Sequence, residues 1–394
     1  MTATLTARSD VRAATTATYT AFLGSGFAFA SWASRIPQVR DSLGLDPGAL
    51  GLVLLAIAAG SLLALPLSGP VVSRIGSSRT VLSMAVLLGA GLTVAALGAT
   101  TNVVPVVIGL FLLGFANGAW DVAMNVQATV VERRLGRSIM SRFHAGFSLG
   151  TVAGALLGAA MVALHVPVAA HLIVVAGLVV LGVTGQARRF IPDEAGTEPG
   201  TSPKASALTA WLEPRTLLIG VFVLAFAFAE GAGNDWTSVA AIDGHHVPAA
   251  LGTLAFAAFL TAMTIGRWFG PALLDRYGRT PVVRVLALIG IAGLALFVFG
   301  PSPAYAYAGS LLWGLGSSLG FPVGMSAGGD DPRRAAGRVS VIASIGYCAF
   351  LAGPPTIGFL GDHVTVLRAL LTVAVLLGLA ALISSSVAKP AEQG

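Results

Sequence analysis

Pro271-Ala272-Leu273-Leu274-Asp275-Arg276-Tyr277-Gly278-Arg279 decides how this chain is read, because a degraded copy stands half a chain earlier. That copy is Gly69-Pro70-Val71-Val72-Ser73-Arg74-Ile75-Gly76-Ser77. Each follows a long apolar segment opened by the same signal, Gly48-Ala49-Leu50-Gly51 in one half and Ala249-Ala250-Leu251-Gly252 in the other. The offset is 201 residues at the opening and 202 at the close, so one residue was inserted. A repeat of this size in an apolar chain points to a duplicated membrane transporter.

Working outward, 55% of the 394 residues are hydrophobic and only 10% charged, against about 25% charged in a soluble domain. Mean hydropathy is +0.84. Twelve apolar segments recur, at 16–37, 48–72, 79–99, 103–127, 141–164, 167–187, 214–242, 249–272, 280–300, 303–327, 338–361 and 365–387. Each approaches or exceeds the ~20 residues that cross a hydrocarbon core of ~30 Å as a helix. They are too long for the ~10-residue strands of a membrane barrel and do not alternate polar with apolar residues. The 49 glycines fit helices that approach closely in lipid. In span 5, Gly146, Gly150, Gly154 and Gly158 form one smooth stripe.

Basic residues set the expected orientation. With the N-terminus placed in the cytoplasm, 19 of the 23 Lys and Arg fall inside. Only Arg35, Arg40 and Arg368 fall outside, and Arg267 lies within span 8. This is the positive-inside pattern, with both termini cytoplasmic. The pI near 10.1 then reflects topology and not nucleic-acid binding, since the basic residues are scattered over short loops and tails. Residues 1–14 are polar and no cleavage site follows span 1, so no cleavable signal peptide is expected. Cys348 is the single cysteine, which excludes an intramolecular disulfide and a cysteine metal site; it is read as a packing residue.

Residues 188–213 are rich in Pro, Gly, Ser, Thr and charge and read as a cytoplasmic linker. They divide the chain into a six-helix bundle at 1–187 and a second at 214–394.

With twelve spans, a central loop and Asp-Arg-x-Gly-Arg at residues 275–279, the whole chain resembles the major facilitator superfamily. Four further phrases resemble the branch near fucose permease and its bacterial inner-membrane relatives. They are Ser31-Trp-Ala-Ser-Arg35-Ile-Pro37, Asn117-Gly-Ala-Trp-Asp121-Val-Ala-Met-Asn125, Glu230-Gly-Ala-Gly-Asn234-Asp235-Trp236 and Gly353-Pro354-Pro355-Thr-Ile-Gly358. The resemblance implies an all-α fold of two pseudo-symmetric bundles with a substrate site at mid-membrane between them. It also implies a secondary transporter in the cytoplasmic membrane. The first-half loop departs from the family pattern: Ser73 stands where the family usually has Asp and Ser77 where it has Arg. An ion-pair latch is therefore expected to be stronger in the second half.

Several residues carry candidate chemistry. Gly76 and Gly278 permit a tight turn with positive φ, and Asp275 can pair with Arg276, Arg279 or Arg338. This makes Arg74, Gly76, Asp275, Arg276, Gly278 and Arg279 gating candidates; the plainer reading is anchoring by basic residues around a turn. Charged groups inside spans usually mark a pathway, because insertion costs at least ~2.5–3.5 kcal/mol each. Asn117, Asp121 and Asn125 recur every fourth residue on span 4, and Glu230 and Asn234 share a face of span 7. Asp121 and Glu230 are the proton-coupling candidates. Asn117, Asn125, Asn234, Asp235, Trp236 and Arg35 are the solute-binding candidates, Arg35 also as an outer gate paired with Asp235. A purely structural hydrogen-bond network is the alternative for the amides. Gly231 and Gly233 suggest a weakened, mobile span 7, and Gly353 with Pro354 a bent, gating span 11. Arg267 can bind an anionic solute, pair with a carboxylate or simply reach for the aqueous boundary. His144, near the cytoplasmic end of span 5, is read as capping the cavity entry.

No P-loop, nucleophile–base pair or metal cluster is evident, so no cofactor is expected and the chain is not read as an enzyme; His245-His246 with Asp243 lacks further ligands. The reading is proton-coupled uptake of a small polar solute such as a sugar, by a monomer in the lipid bilayer. The alternatives are proton-driven export of a small toxic molecule, favoured by glycine-rich spans 5 and 11, and a non-transporting sensor or scaffold.

Overall fold

The computed structural model describes residues 2–136, 139–193, 209–331 and 334–389; the linker residues 194–208 and the basic residues Arg137, Lys204 and Arg333 lie outside these. Every regular element among the described residues is helical. In the first half these are α1 (Thr2–Ala33), α2 (Ile36–Leu43), α3 (Pro47–Gly98), α4 (Val103–Leu135), α5 (Met140–Ala163) and α6 (Val168–Ala187). In the second they are α7 (Pro214–His245), α8 (Ala249–Tyr277), α9 (Arg279–Phe299), α10 (Pro303–Ser317), α11 (Gly320–Gly328), α12 (Ala335–Val364), α13 (Val366–Ala369) and α14 (Leu371–Ile383), closed by a 3-10 turn at Ser384–Val387. Contacts divide the chain into unit 1 (Met1–Gly196) and unit 2 (Thr197–Gly394).

Local chemistry sets the ends of these helices. Asp46 accepts from Ala49 N (2.7 Å) at the start of α3, and Asn102 from Val104 N (2.9 Å) at the start of α4, each filling an orphan donor of the first turn. Pro214 and Pro303 open α7 and α10, where a missing N–H is harmless. Gly136 closes α4 in the left-handed conformation.

Nine helices among the described residues are long and apolar enough to cross a membrane. One is α3, whose 52 residues would extend about 78 Å at ~1.5 Å per residue, more than twice the hydrocarbon core. Gly76, at φ 83 and ψ 158, breaks it into spans 2 and 3. The equivalent break in unit 2 is Gly278, at φ 81 and ψ 165, between α8 and α9. Adding α1 and the interrupted α10–α11 gives the twelve expected spans. Leu63, Leu67, Val174, Leu178, Leu181, Phe269, Phe299 and Leu382 are among many large apolar side chains left exposed, as suits a multi-pass protein solvated by lipid.

The two units repeat one packing scheme. Span 1 lies on spans 5 and 6, and span 3 on spans 4 and 6, in unit 1; spans 7, 11 and 12 and spans 9, 10 and 12 do the same in unit 2. Glycine makes the close contacts. A Cβ at Gly150 or Gly154 of α5 would strike the backbone of Leu23 or Phe27 of α1, and one at Gly158 would strike Ser34. The glycine stripe read from sequence is thus the α1–α5 seam. Each unit also buries two tryptophans, on its first and fourth spans: Trp32 and Trp120, then Trp236 and Trp313. All four indole N–H groups lack a partner among the described residues.

Three expectations are corrected. Span 7 is not interrupted: α7 runs unbroken for 32 residues, because Gly231 and Gly233 serve close packing against Phe350 and Phe259. The interruption falls in span 10, where α10 ends at Ser317 and α11 begins at Gly320. Cys348 is exposed on α12 and is not a packing residue.

Candidate functional site

In unit 1 the polar stripe of α4 is tied at both ends. Asn117 Oδ1 accepts from Ser25 Oγ of α1 (2.7 Å). One turn on, Asp121 is exposed; two turns on, Asn125 Nδ2 donates to Asp121 O (2.8 Å) and Asp121 Oδ1 (3.3 Å). The stripe thus brings Asn117, Asp121 and Asn125 onto one helix face, as their spacing predicted. His144 is exposed on α5, edge-on to Phe22.

Arg35 does not stand free as a gate. It is 2% exposed, donates through Nε to His171 Nδ1 (3.0 Å) and through Nη2 to Val166 O (2.8 Å). A guanidinium retains its proton in proteins, so His171 is the acceptor and carries its own proton on Nε2. That atom has no partner among the described residues. Arg35 therefore fastens the end of α1 to the start of α6.

The turn at Gly76 uses an acceptor that the repeat pattern did not reveal. Asp193, just past α6, accepts from Ser77 N (2.5 Å) and Ser77 Oγ (2.6 Å). Its carboxylate thus sits on first-turn donors at the start of span 3, where the helix dipole favours negative charge. Buried Gln127 of α4 completes the clasp: with its amide oriented to match its neighbours, it donates to Ile191 O (3.0 Å) and accepts from Ile191 N (3.0 Å). Ser78 Oγ adds a bond to Ala187 O (2.8 Å). Arg74 is exposed.

In unit 2 the corresponding turn is held by charge. Arg279 Nη1 pairs with Asp330 Oδ1 (2.7 Å), and Asp330 Oδ2 takes Arg215 Nη2 (3.0 Å). Arg279 Nη2 also donates to Ser326 Oγ (2.9 Å). Asp275, expected to hold this pair, is exposed and forms no ion pair among the described residues; Arg276 instead lies over the Tyr277 ring at 5.2 Å. Arg338, the other partner considered for Asp275, bonds Glu213 Oε2 (2.6 Å). Its guanidinium holds the Glu213 carboxyl below its ordinary value of 4.5, against the opposing effect of partial burial and with help from Thr216 and Arg334.

Glu230 of α7 finds a partner inside the bundle. Its Oε2 takes Arg267 Nη2 of α8 at 2.6 Å, with both side chains under one-third exposed. Arg267 Nε also donates to Ser318 O (3.3 Å), at the interruption of span 10. Of the readings open for Arg267, the structure gives the carboxylate pair. On the same face of α7, Asn234 Oδ1 is buried with no hydrogen-bond partner among the described residues. Asp235, half-buried, has no ion pair among them. Trp236 is fully buried, so its ring is packed and is not offered for stacking. Gly353 and Pro354 are buried within α12, which continues through both to Val364.

A sequence model of the Major Facilitator Superfamily matches residues 17–352. An uncharacterized MFS-type transporter of Yersinia pestis is 31% identical over 344 residues, which is 87% of each chain. An uncharacterized transporter of Sinorhizobium fredii is 29% identical over 346 residues, 88% of this chain and 90% of that one. Among solved structures, a mutant of the nucleoside transporter NupG superposes with a TM-score of 0.79 at 14% identity, covering 94% of this chain and 99% of the other. The E. coli fucose:proton symporter FucP gives 0.65 at 15% identity, covering 95% and 98%.

Proposed function

We propose, for a chain that belongs to the Major Facilitator Superfamily, that its activity is proton-coupled uptake of a small hydroxyl-bearing solute across the cytoplasmic membrane by alternating access. Secondary transport is the activity of the family; the solute, the direction and the coupling ion are our reading. So are a monomeric state, two six-helix domains joined by a cytoplasmic linker, and the cytoplasmic placement of both termini and of the Gly76 and Gly278 turns.

The observation that carries the proposal is the buried Asn234 Oδ1, without a donor among the described residues, one turn from Glu230 on α7. Leaving such an acceptor unsatisfied costs about 1–3 kcal/mol, and a solute hydroxyl supplies the missing donor. Asp235 beside Asn234 in unit 2, and Asn117 and Asn125 in unit 1, are further solute-binding candidates, while Arg35 and Trp236 serve structure. Asp121 and Glu230 are the proton carriers, one in each unit. The nucleoside and fucose named for NupG and FucP share hydroxylated rings, which suits these amides. The glycine stripe of α5 is used against α1 and so does not speak for an exporter.

Purified protein in proteoliposomes, given an inward proton gradient and radiolabelled fucose or a nucleoside, tests this. Wild type accumulates one of them. Asp121→Asn and Glu230→Gln lose accumulation, and at least one retains exchange. Accumulation by both variants, or by neither wild type nor variants with any hydroxylated probe, refutes the coupling or the solute class respectively.

A further inference from the structure

We infer that Arg267 is a positioning residue that ties the protonation state of Glu230 to the bend between α10 and α11. This rests on the proposal that Glu230 carries a proton; the link to the bend goes beyond it.

The bend has a cause in the sequence. In a continuous helix the carbonyl of Ser318 would accept from the N–H of residue 322, but residue 322 is proline and has none. The Ser318 carbonyl is thereby orphaned, and the helix stops at Ser317 and restarts at Gly320. The donor that reaches it is Arg267 Nε, at 3.3 Å. Glycines let α8 come close enough: a Cβ at Gly266 would collide with the Ser318 side chain, and one at Gly270 with Leu319. On the other side, Gly320 lies against Phe226 and Gly324 against Val223, both of α7. The interruption is thus seated between α7 and α8, and one guanidinium spans it.

That guanidinium has two acceptors of unequal strength. The Glu230 carboxylate holds it by a charge-assisted bond of 2.6 Å; such bonds are about twice as strong as neutral ones. The Ser318 carbonyl is the weaker, longer contact. While Glu230 is ionised, the fork is fixed in a position from which it serves both groups. Protonating Glu230 removes the stronger anchor, and Arg267 stays charged. The fork is then no longer held at the Ser318 carbonyl, and the bend loses its tie to α7. Among the described residues, neither Glu230 nor Arg267 has a second ion pair. Asp235 is on α7 itself. The other charged groups of α8 (Asp275, Arg276) and the Arg338, Asp362 and His363 of α12 lie towards helix ends. Tyr347 and Cys348 of α12 are the nearest of its titratable groups, close to Phe350, which packs on Gly231. Tyr305 and Tyr307 sit in the first turns of α10, and α11 and α14 carry no ionisable side chain.

The test needs no solute. Cys348 is the only cysteine, so Cys348→Ala gives a clean background for spin labels at Leu311→Cys on α10 and Met325→Cys on α11. Their separation is read by pulsed electron paramagnetic resonance in proteoliposomes from about pH 8 to about pH 4, across the ordinary carboxylate range. The expected result is a shift of the distance distribution on acidification. Glu230→Gln should show the acidic distribution at every pH. Pro322→Ala restores the missing N–H, leaves the ion pair in place and should abolish the shift. A distribution that does not move with pH in the labelled parent, or that moves equally in Glu230→Gln or Pro322→Ala, overturns the inference. Should Glu230→Gln fail to fold, the parent and Pro322→Ala arms decide alone. Loss of proton-driven accumulation in Glu230→Gln with no pH-dependent shift in the parent would sink the joint and spare the coupling reading; a shift with accumulation intact in Glu230→Gln would do the reverse.

Discussion

Asp330 holds two guanidinium groups, whereas Asp275, four residues before Arg279, holds none among the described residues. The pair with Arg279 is largely shielded, at 14% and 10% exposure, where screening by water is weak. Asp330→Asn leaves both arginines without their counter-charge and should destabilise unit 2 by about 1–3 kcal/mol. Asp275→Asn, at an exposed site, should stay within about 0.5 kcal/mol. Thermal unfolding of the two variants in detergent compares them directly; an equal or reversed loss would show that Asp275 is the true partner. Glu213 adds a pH dependence. Its carboxyl titrates below the ordinary value of 4.5, chiefly through Arg338, so its ionised form favours the fold. That contribution is complete above the ordinary value and is lost as pH falls through the lower, folded value. The melting temperature of Glu213→Gln should therefore lie below wild type near neutrality and converge on it in strong acid. A gap that widens on acidification would contradict the sign.

Among the elements, the turns at Gly76 and Gly278 share nearly one conformation, φ 83 and 81 with ψ 158 and 165, in a region that only glycine occupies readily. A Cβ at Gly278 would meet nothing within 4 Å, and one at Gly76 only the Asp193 carboxylate at 3.4 Å. Alanine at either position should then cost about 1–3 kcal/mol through backbone strain alone, seen as a lower melting temperature. Unchanged stability in both would mean that the turns relax freely. These glycines were legible, because their need is written in the backbone; so were the spans and the α5 stripe, which follow from length and residue size. The short helix α2, which buries Ile36, Pro37 and Val39, lies mostly beyond the end of span 1 at residue 37 and was not legible, since eight residues give too weak a period. The interruption of span 10 was also missed. Pro322 was in plain view, but proline is common in membrane helices. The carbonyl it orphans has a partner 51 residues away in sequence, which no local window contains.

For the molecule as a whole, the same distinction governs the site. Asp121, Asn117 and Asn125 share a helix face, so spacing alone brings them together. The partners of Arg35, Arg267, Asp193 and Asp330 come from other helices and depend on packing that the one-dimensional pattern does not encode. Orientation, by contrast, is proposed from the 19-to-3 division of basic residues alone. A green fluorescent protein fused to the C-terminus should therefore fluoresce in cells, and an alkaline phosphatase fused there should stay inactive; the opposite pair of results would invert the topology. The buried tryptophans carry a last implication. Of six in the chain, Trp211 and Trp268 are exposed, at 46% and 57%, and the other four are interior. Replacing those two with phenylalanine leaves two native fluorophores in each unit, their indoles buried and their N–H groups without a partner among the described residues. Any state that admits water to either bundle must announce itself as a red shift in emission, so the protein carries its own optical gauge of hydration.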